Sequence, residues 1–211
     1  MAILKIYTFP DDVLTQRAAP IARVDRELYG LAEQMLETMY DAPGIGLAAN
    51  QVGILRRILV VDTEYDLEEL EEGAVPQAGV EVVGKNIIKN RKPQILINPE
   101  IVSKEGTTAI SEGCLSVPEF TAEVKRFEKL KLRYQNIDGL SKVMSADGIL
   151  AIALQHEMDH LDGKLFIDRL SPLKKEKVRK MLREERALRE SLEREGGSKS
   201  KKSGKKRDFS I

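Results

Sequence analysis

Among its 211 residues this chain has one cysteine, two histidines and no tryptophan. A single cysteine excludes an internal disulfide framework and fits a reducing compartment. No apolar stretch approaches the roughly 20 residues that a membrane-spanning helix needs. The N-terminal run MAILKIYTFPDD lacks a charged start followed by a long apolar segment and a small-residue cleavage site, and it is not Arg/Ser-rich. These absences lead us to expect a cytoplasmic protein with no membrane partner. The length suits one domain, with a core large enough to do without covalent staples.

Net charge is also missing, with 34 basic and 34 acidic residues, but the balance is uneven. From Ser171 onward there are fifteen Lys and Arg against seven Asp and Glu, giving +8, and the first 170 residues carry −8. Segregation of this kind marks an interaction tail. The expected organisation is a folded body over 1–170, a charged helix over 171–195 and a basic tail over 196–211. The Ser, Gly and Lys of that tail read as disordered by composition.

Leu28, Leu31, Met35 and Met39 recur at helical steps, so Asp25 to Ala42 is predicted to be an amphipathic helix, N-capped by Asp25 and stopped by Pro43 and Gly44. Arg57 to Asp62 is a short continuous apolar run, as a buried strand would be. Gln94 to Asn98 is another, closed by Pro99. Lys129 to Gln135 alternates apolar and basic. Glu64 to Lys92 reads as a surface excursion with room for a small hairpin. Ile149 to Asp162 is apolar almost all round and is predicted to be a core helix, with Gly163 past its end. Lys164 to Leu170 reads as a short closing strand. Pro172 opens a third helix to about Glu195. The expected fold is α+β, with mixed or antiparallel strands around the buried helix and further helices at the N- and C-terminal ends.

That core helix contains His156-Glu157-Met158-Asp159-His160, and the only two histidines fall in it. Residues four apart share one helix face, so both imidazoles can bind one ion while the Glu serves as a base. A catalytic metal site needs a third protein ligand and an open position. Cys114, in Glu112-Gly113-Cys114-Leu115-Ser116, is the only remaining soft ligand. A distant Glu would also satisfy the spacing, and a lone cysteine by itself is more often a small buried hydrophobe.

Three segments now carry a resemblance. GIGLAANQ (Gly44 to Gln51), EGCLS (Glu112 to Ser116) and QHEMDH (Gln155 to His160) resemble, in order, the signature motifs of the bacterial peptide deformylases. Their spacing also matches, except that the stretch after Asp62 is longer than in compact members. The resemblance implies removal of the formyl group from N-formylmethionyl nascent peptides, with formate released. It implies that Cys114, His156 and His160 hold the metal: ferrous iron in the cell, with zinc, nickel or cobalt in a preparation. Glu157 would be the proton-transfer group, with Gln51 and the Leu115 N–H stabilising the oxyanion. Main-chain groups of Ile45, Gly46 and Gly113 would pair with the substrate, and Ile45, Ile149 and Ile152 would line a methionine pocket.

Asn50 and Thr121 stand where many members carry other residues, Thr121 where some place a substrate-contacting Arg. Arg126 is expected to pair with Glu112 or Asp159 in support of the site. In some members a C-terminal helix lies along ribosomal RNA, and Lys199, Lys201, Lys202, Lys205, Lys206 and Arg207 would supply phosphate contacts here. No DNA partner is expected. Two rival readings stand beside this one: a non-catalytic RNA-binding protein with a structural metal, and a general metallopeptidase.

Overall fold

A computed structural model describes residues 2–69, 81–84 and 86–195. Helix α1 spans Arg26–Asp41. The strands follow as β1 (Gly46–Ala48), β2 (Ile58–Val61), β3 (Asp66–Glu69), β4 (Glu81–Val83), β5 (Asn86–Lys89), β6 (Gln94–Glu105), β7 (Thr108–Cys114), β8 (Val117–Arg126), β9 (Lys129–Gln135) and β10 (Ser141–Asp147). Helices α2 (Gly148–Leu161) and α3 (Pro172–Glu195) complete the order. The strands form an antiparallel five-stranded sheet in the order β1-β2-β6-β9-β10, a three-stranded sheet β3-β5-β4 and a hairpin β7-β8. The α+β expectation holds. Among the described residues no helix is long and apolar enough to cross a membrane.

The apolar run in β2 now has its reason. Ile58 and Val60 pack with α1 on one face of the sheet, and Leu59 and Val61 pack with α2 on the other. Both faces are covered, so every position is apolar. The α1 helix forms as its sequence indicates: the Asp25 side chain accepts from Leu28 N at 2.9 Å, and Leu28, Leu31, Met35 and Met39 are buried. Each such side chain contributes about 1.5–3 kcal/mol by leaving water.

Three expectations need correction. β6 does not stop at Pro99 but runs to Glu105, because Asn98 (φ +51°) and Pro99 sit where its register with β9 shifts. At such a bulge a proline costs no ladder bond. Lys164 to Leu170 is not a strand. Phe166–Arg169 form a 3-10 turn in which the Asp168 carboxylate accepts from Leu165 N at 3.0 Å, and Phe166 and Ile167 are buried side by side. The described part of the excursion forms a three-stranded sheet rather than a hairpin, and it is tied to α1. Val83 and Ile88 join the α1 core, and Asn86 donates to the carbonyls of Tyr40 and Asp41 at 3.2 Å each.

Helix α3 docks through Val178 and Leu182, buried with Phe9, Leu14 and Phe166, whereas Leu188 at the far end is exposed. The tail expected over 196–211 lies outside the described residues.

Candidate metal centre

Every residue of α2 from Ala151 to Leu161 is buried, so His156, Glu157 and His160 sit inside the molecule. The β7-β8 hairpin delivers the cysteine. Its register shifts between Glu112 and Cys114, and the tight turn that follows pairs Cys114 with Val117. Cys114 Sγ then lies 3.2 Å from His160 Nε2. One ligand atom from each of Cys114, His156 and His160 falls within 4.8 Å of the others. The distant Glu left open by spacing is not part of this cluster.

The surroundings fix the rings. His156 Nδ1 lies 2.8 Å from a Glu112 oxygen, so that nitrogen carries the proton and Nε2 is left to coordinate. Glu112 is gripped in turn by Arg126, Nε at 2.6 Å and Nη2 at 2.9 Å, while Arg126 Nη1 donates to Asp159 at 2.6 Å. Arg126 therefore pairs with both carboxylates named for it. Arg169 adds a bond to Asp159 at 3.0 Å, a contact without a sequence signal.

Burial opposes the charge on Glu112, but Arg126 and His156 outweigh it and hold its pKa at about 2. Burial also works against a charge on His156, while Cys114 and Glu112 together lift its pKa well above the usual value. His160 is pushed well down by burial, then by His156. Burial raises Glu157 to about 7.

Glu157 Oε2 is buried and makes no hydrogen bond among the described residues, and the same is true of His160 Nδ1. A buried orphan carboxylate oxygen is costly unless something binds there. A soft thiolate, two imidazoles and a hydrogen-bonded ring orientation fit a divalent transition metal with one position left open.

Gln51 comes from the 3-10 turn Ala49–Val52. Its Oε1 accepts from Ala48 N at 2.8 Å, which aims Nε2 toward Ser116 Oγ at 3.3 Å and Cys114 Sγ at 3.7 Å. The part played by Ser116 was not read from sequence, because a lone serine gives no pattern.

A cavity of about 410 Å³ opens onto this centre. Ile45, Gly46, Gln51, Gly113, Cys114, Leu115, Ile149, Ile152, His156 and Glu157 all line it, and His160 is buried at 1% exposure in the same ligand cluster. Ile45 and Ile149 are 40% and 48% exposed, as residues at a mouth would be, and Ile152 is buried. Beyond Ile149 a second cavity of about 560 Å³ brings together no comparable set of ligands among the described residues.

β1 is the edge strand of its sheet. The Ile45 carbonyl accepts from Asp62 N at 3.0 Å, so that carbonyl is held on the β2 side. Gly46, next along, turns its main chain to the open edge beside the cavity. An extended peptide can add there by main-chain pairing.

A family model described as polypeptide deformylase matches residues 3–176. A peptide deformylase of Alkalilimnicola ehrlichii is 44% identical over 197 residues, covering 93% of this chain and 97% of the relative. A crystal structure of a peptide deformylase from Legionella pneumophila superposes with a TM-score of 0.71 at 37% identity, covering 90% of this chain and 98% of that one. One from Ehrlichia chaffeensis in complex with actinonin gives 0.71 at 33% identity, over 88% and 98%. Matched over most of its own length and nearly the whole of theirs, the chain belongs to the polypeptide deformylase family.

Proposed function

We propose that this chain hydrolyses the formyl amide at the N-terminal methionine of newly made polypeptides, releasing formate and a free amine. The observation that carries this reading is the convergence of Cys114, His156 and His160 beside the buried Glu157 carboxylate, on an apolar cavity next to an open strand edge. Cys114, His156 and His160 would hold a divalent ion, which when bound supplies Lewis-acid activation of water and carbonyl. Ferrous iron is the ion we propose in the cell, with zinc, nickel or cobalt able to replace it in a preparation.

The chain's own groups do the rest. Glu157 takes a proton from the attacking water and returns it to the departing amine nitrogen. Gln51 Nε2 and the Leu115 N–H face the oxygen on which charge develops, and fixed donors of this kind are usually a large part of catalysis. Main-chain groups of Ile45, Gly46 and Gly113 align the peptide, and Ile45, Ile149 and Ile152 receive the methionine side chain.

In this reading the catalytic unit is 1–170, followed by the helix over 171–195 and the basic segment over 196–211. The enzyme works in the cytoplasm, and the +8 segment contacts ribosomal RNA. Salt-sensitive ribosome binding that is lost on deleting residues after Gly196 tests that contact.

The deciding experiment is formate release from formyl-Met-Ala-Ser by anaerobically purified, iron-loaded protein. Glu157→Ala should lower the rate by about 10²–10⁴-fold with the metal retained. Cleavage of internal amides without formate release would overturn the assignment, and metal analysis of the same preparation tests the choice of ion.

A further inference from the structure

The residues after β2 reach back to the substrate edge. The Tyr65 hydroxyl donates to the Gly44 carbonyl at 3.0 Å, and the main-chain N–H of Asp62 donates to the Ile45 carbonyl at 3.0 Å. One short segment thus holds two consecutive carbonyls at the entrance to β1. Tyr65 is itself held in place. Its ring meets that of Tyr40 edge-on at 4.9 Å, and Tyr40 is fully buried with its hydroxyl donating to Asp62 at 2.7 Å. The Asp62 carboxylate also accepts from Glu64 N at 3.1 Å and Lys92 N at 2.8 Å, which clasps the two ends of the excursion together. Burial, then the nearby Asp62 charge, raise the Tyr65 pKa, so the phenol remains a donor at working pH.

Gly44 has no side chain with which to fix its own conformation, and a Cβ there would come within 2.9 Å of Leu115. A glycine's backbone is freer than any other residue's, so its restraint has to come from outside. Only Met39 O, which accepts from Gly44 N at 2.9 Å, and the Tyr65 hydroxyl supply such bonds among the described residues. Gly46, by contrast, lies within β1, in register with Val61 of β2.

We propose that Tyr65 is a positioning residue: by holding the Gly44 carbonyl, it sets the Gly44–Ile45 peptide plane, and with it the Ile45 N–H, for pairing with the peptide substrate. The segment from Asp62 to Tyr65 is then part of the substrate-binding apparatus. The kinetic arm of the test rests on the deformylase reading, and the exchange arm does not.

Tyr65→Phe removes one hydroxyl and keeps the ring contact with Tyr40. With formyl-Met-Ala-Ser, KM should rise about 3- to 10-fold, the size of one hydrogen bond, while kcat stays within about twofold. Hydrogen exchange at the amides of Gly44 and Asp62 should quicken by a similar factor, with metal content and thermal midpoint little changed. Unchanged KM and unchanged exchange would overturn the proposal. So would a fall in kcat accompanied by metal loss, which would make Tyr65 a support of the metal centre. If the unsubstituted protein released no formate, the deformylase reading would fail and the exchange rates alone would decide the role of Tyr65.

Discussion

Arg126 faces Glu112 and Asp159 with only 2% of its side chain exposed. A buried ion network is weak support for stability as a whole, yet removing one member leaves the others buried and uncompensated. Arg126→Met should therefore cost about 3–5 kcal/mol in urea unfolding. It should also weaken metal retention by about 10–100-fold, read by metal analysis after dialysis, because Glu112 would no longer hold His156 in place. A second residue-scale case is Gly46. A Cβ there would lie 2.6 Å from Glu157 Oε1 and 2.8 Å from its Cγ, so the buried Glu157 side chain would have to shift. Gly46→Ala should displace the carboxylate and lower kcat by about 100-fold or more, with metal content unchanged. The glycine was singled out from sequence for pairing with the substrate, but its closeness to Glu157 could not be read there, because only the packing of α2 against β1 brings the two together.

At the scale of elements, α3 is attached through Asp168 as well as through Val178 and Leu182. The Asp168 carboxylate accepts from Lys175 at 2.8 Å and Arg179 at 2.7 Å while capping the 3-10 turn that precedes the helix. Burial opposes its charge, but Lys175, the Leu165 N–H and Arg179 outweigh it and lower its pKa. A lowered folded pKa means that the stabilisation is fully present above the ordinary carboxylate value of about 4 and is lost as pH falls through the folded value. Asp168→Asn should thus cost about 1–2 kcal/mol at pH 7, and the gap between the two unfolding curves should close below about pH 4. Helix α1 was legible in the sequence because its burial repeats at helical steps, and α2 and β2 because each is an unbroken apolar run of helix or strand length. The turn at Phe166–Arg169 was not. Two adjacent buried apolar residues look like a strand until the absence of a pairing partner and the Asp168 cap are seen.

For the whole molecule, the proposed ion joins the β7-β8 hairpin to α2, elements that belong to separate parts of the fold. A ligand bound only by the folded state adds about 2.7 kcal/mol at 100 times its dissociation constant. Chelation should therefore lower the thermal midpoint by about 5–10 °C, with recovery on adding the metal back. A Cys114→Ser variant should show little of that shift, and a protein indifferent to chelator would contradict a bound ion.

By itself the sequence determined which chemistry is available. Two histidines four apart with a glutamate between them share a helix face by local geometry alone, and a lone cysteine leaves few candidates for a third ligand. Only the tertiary structure decided that Cys114 reaches His160 from 46 positions away. The same holds for Glu112 orienting His156 and for Tyr65 reaching back to Gly44. Contacts of this kind depend on how sheet, hairpin and helix pack, and no residue's nearest neighbours in sequence encode them.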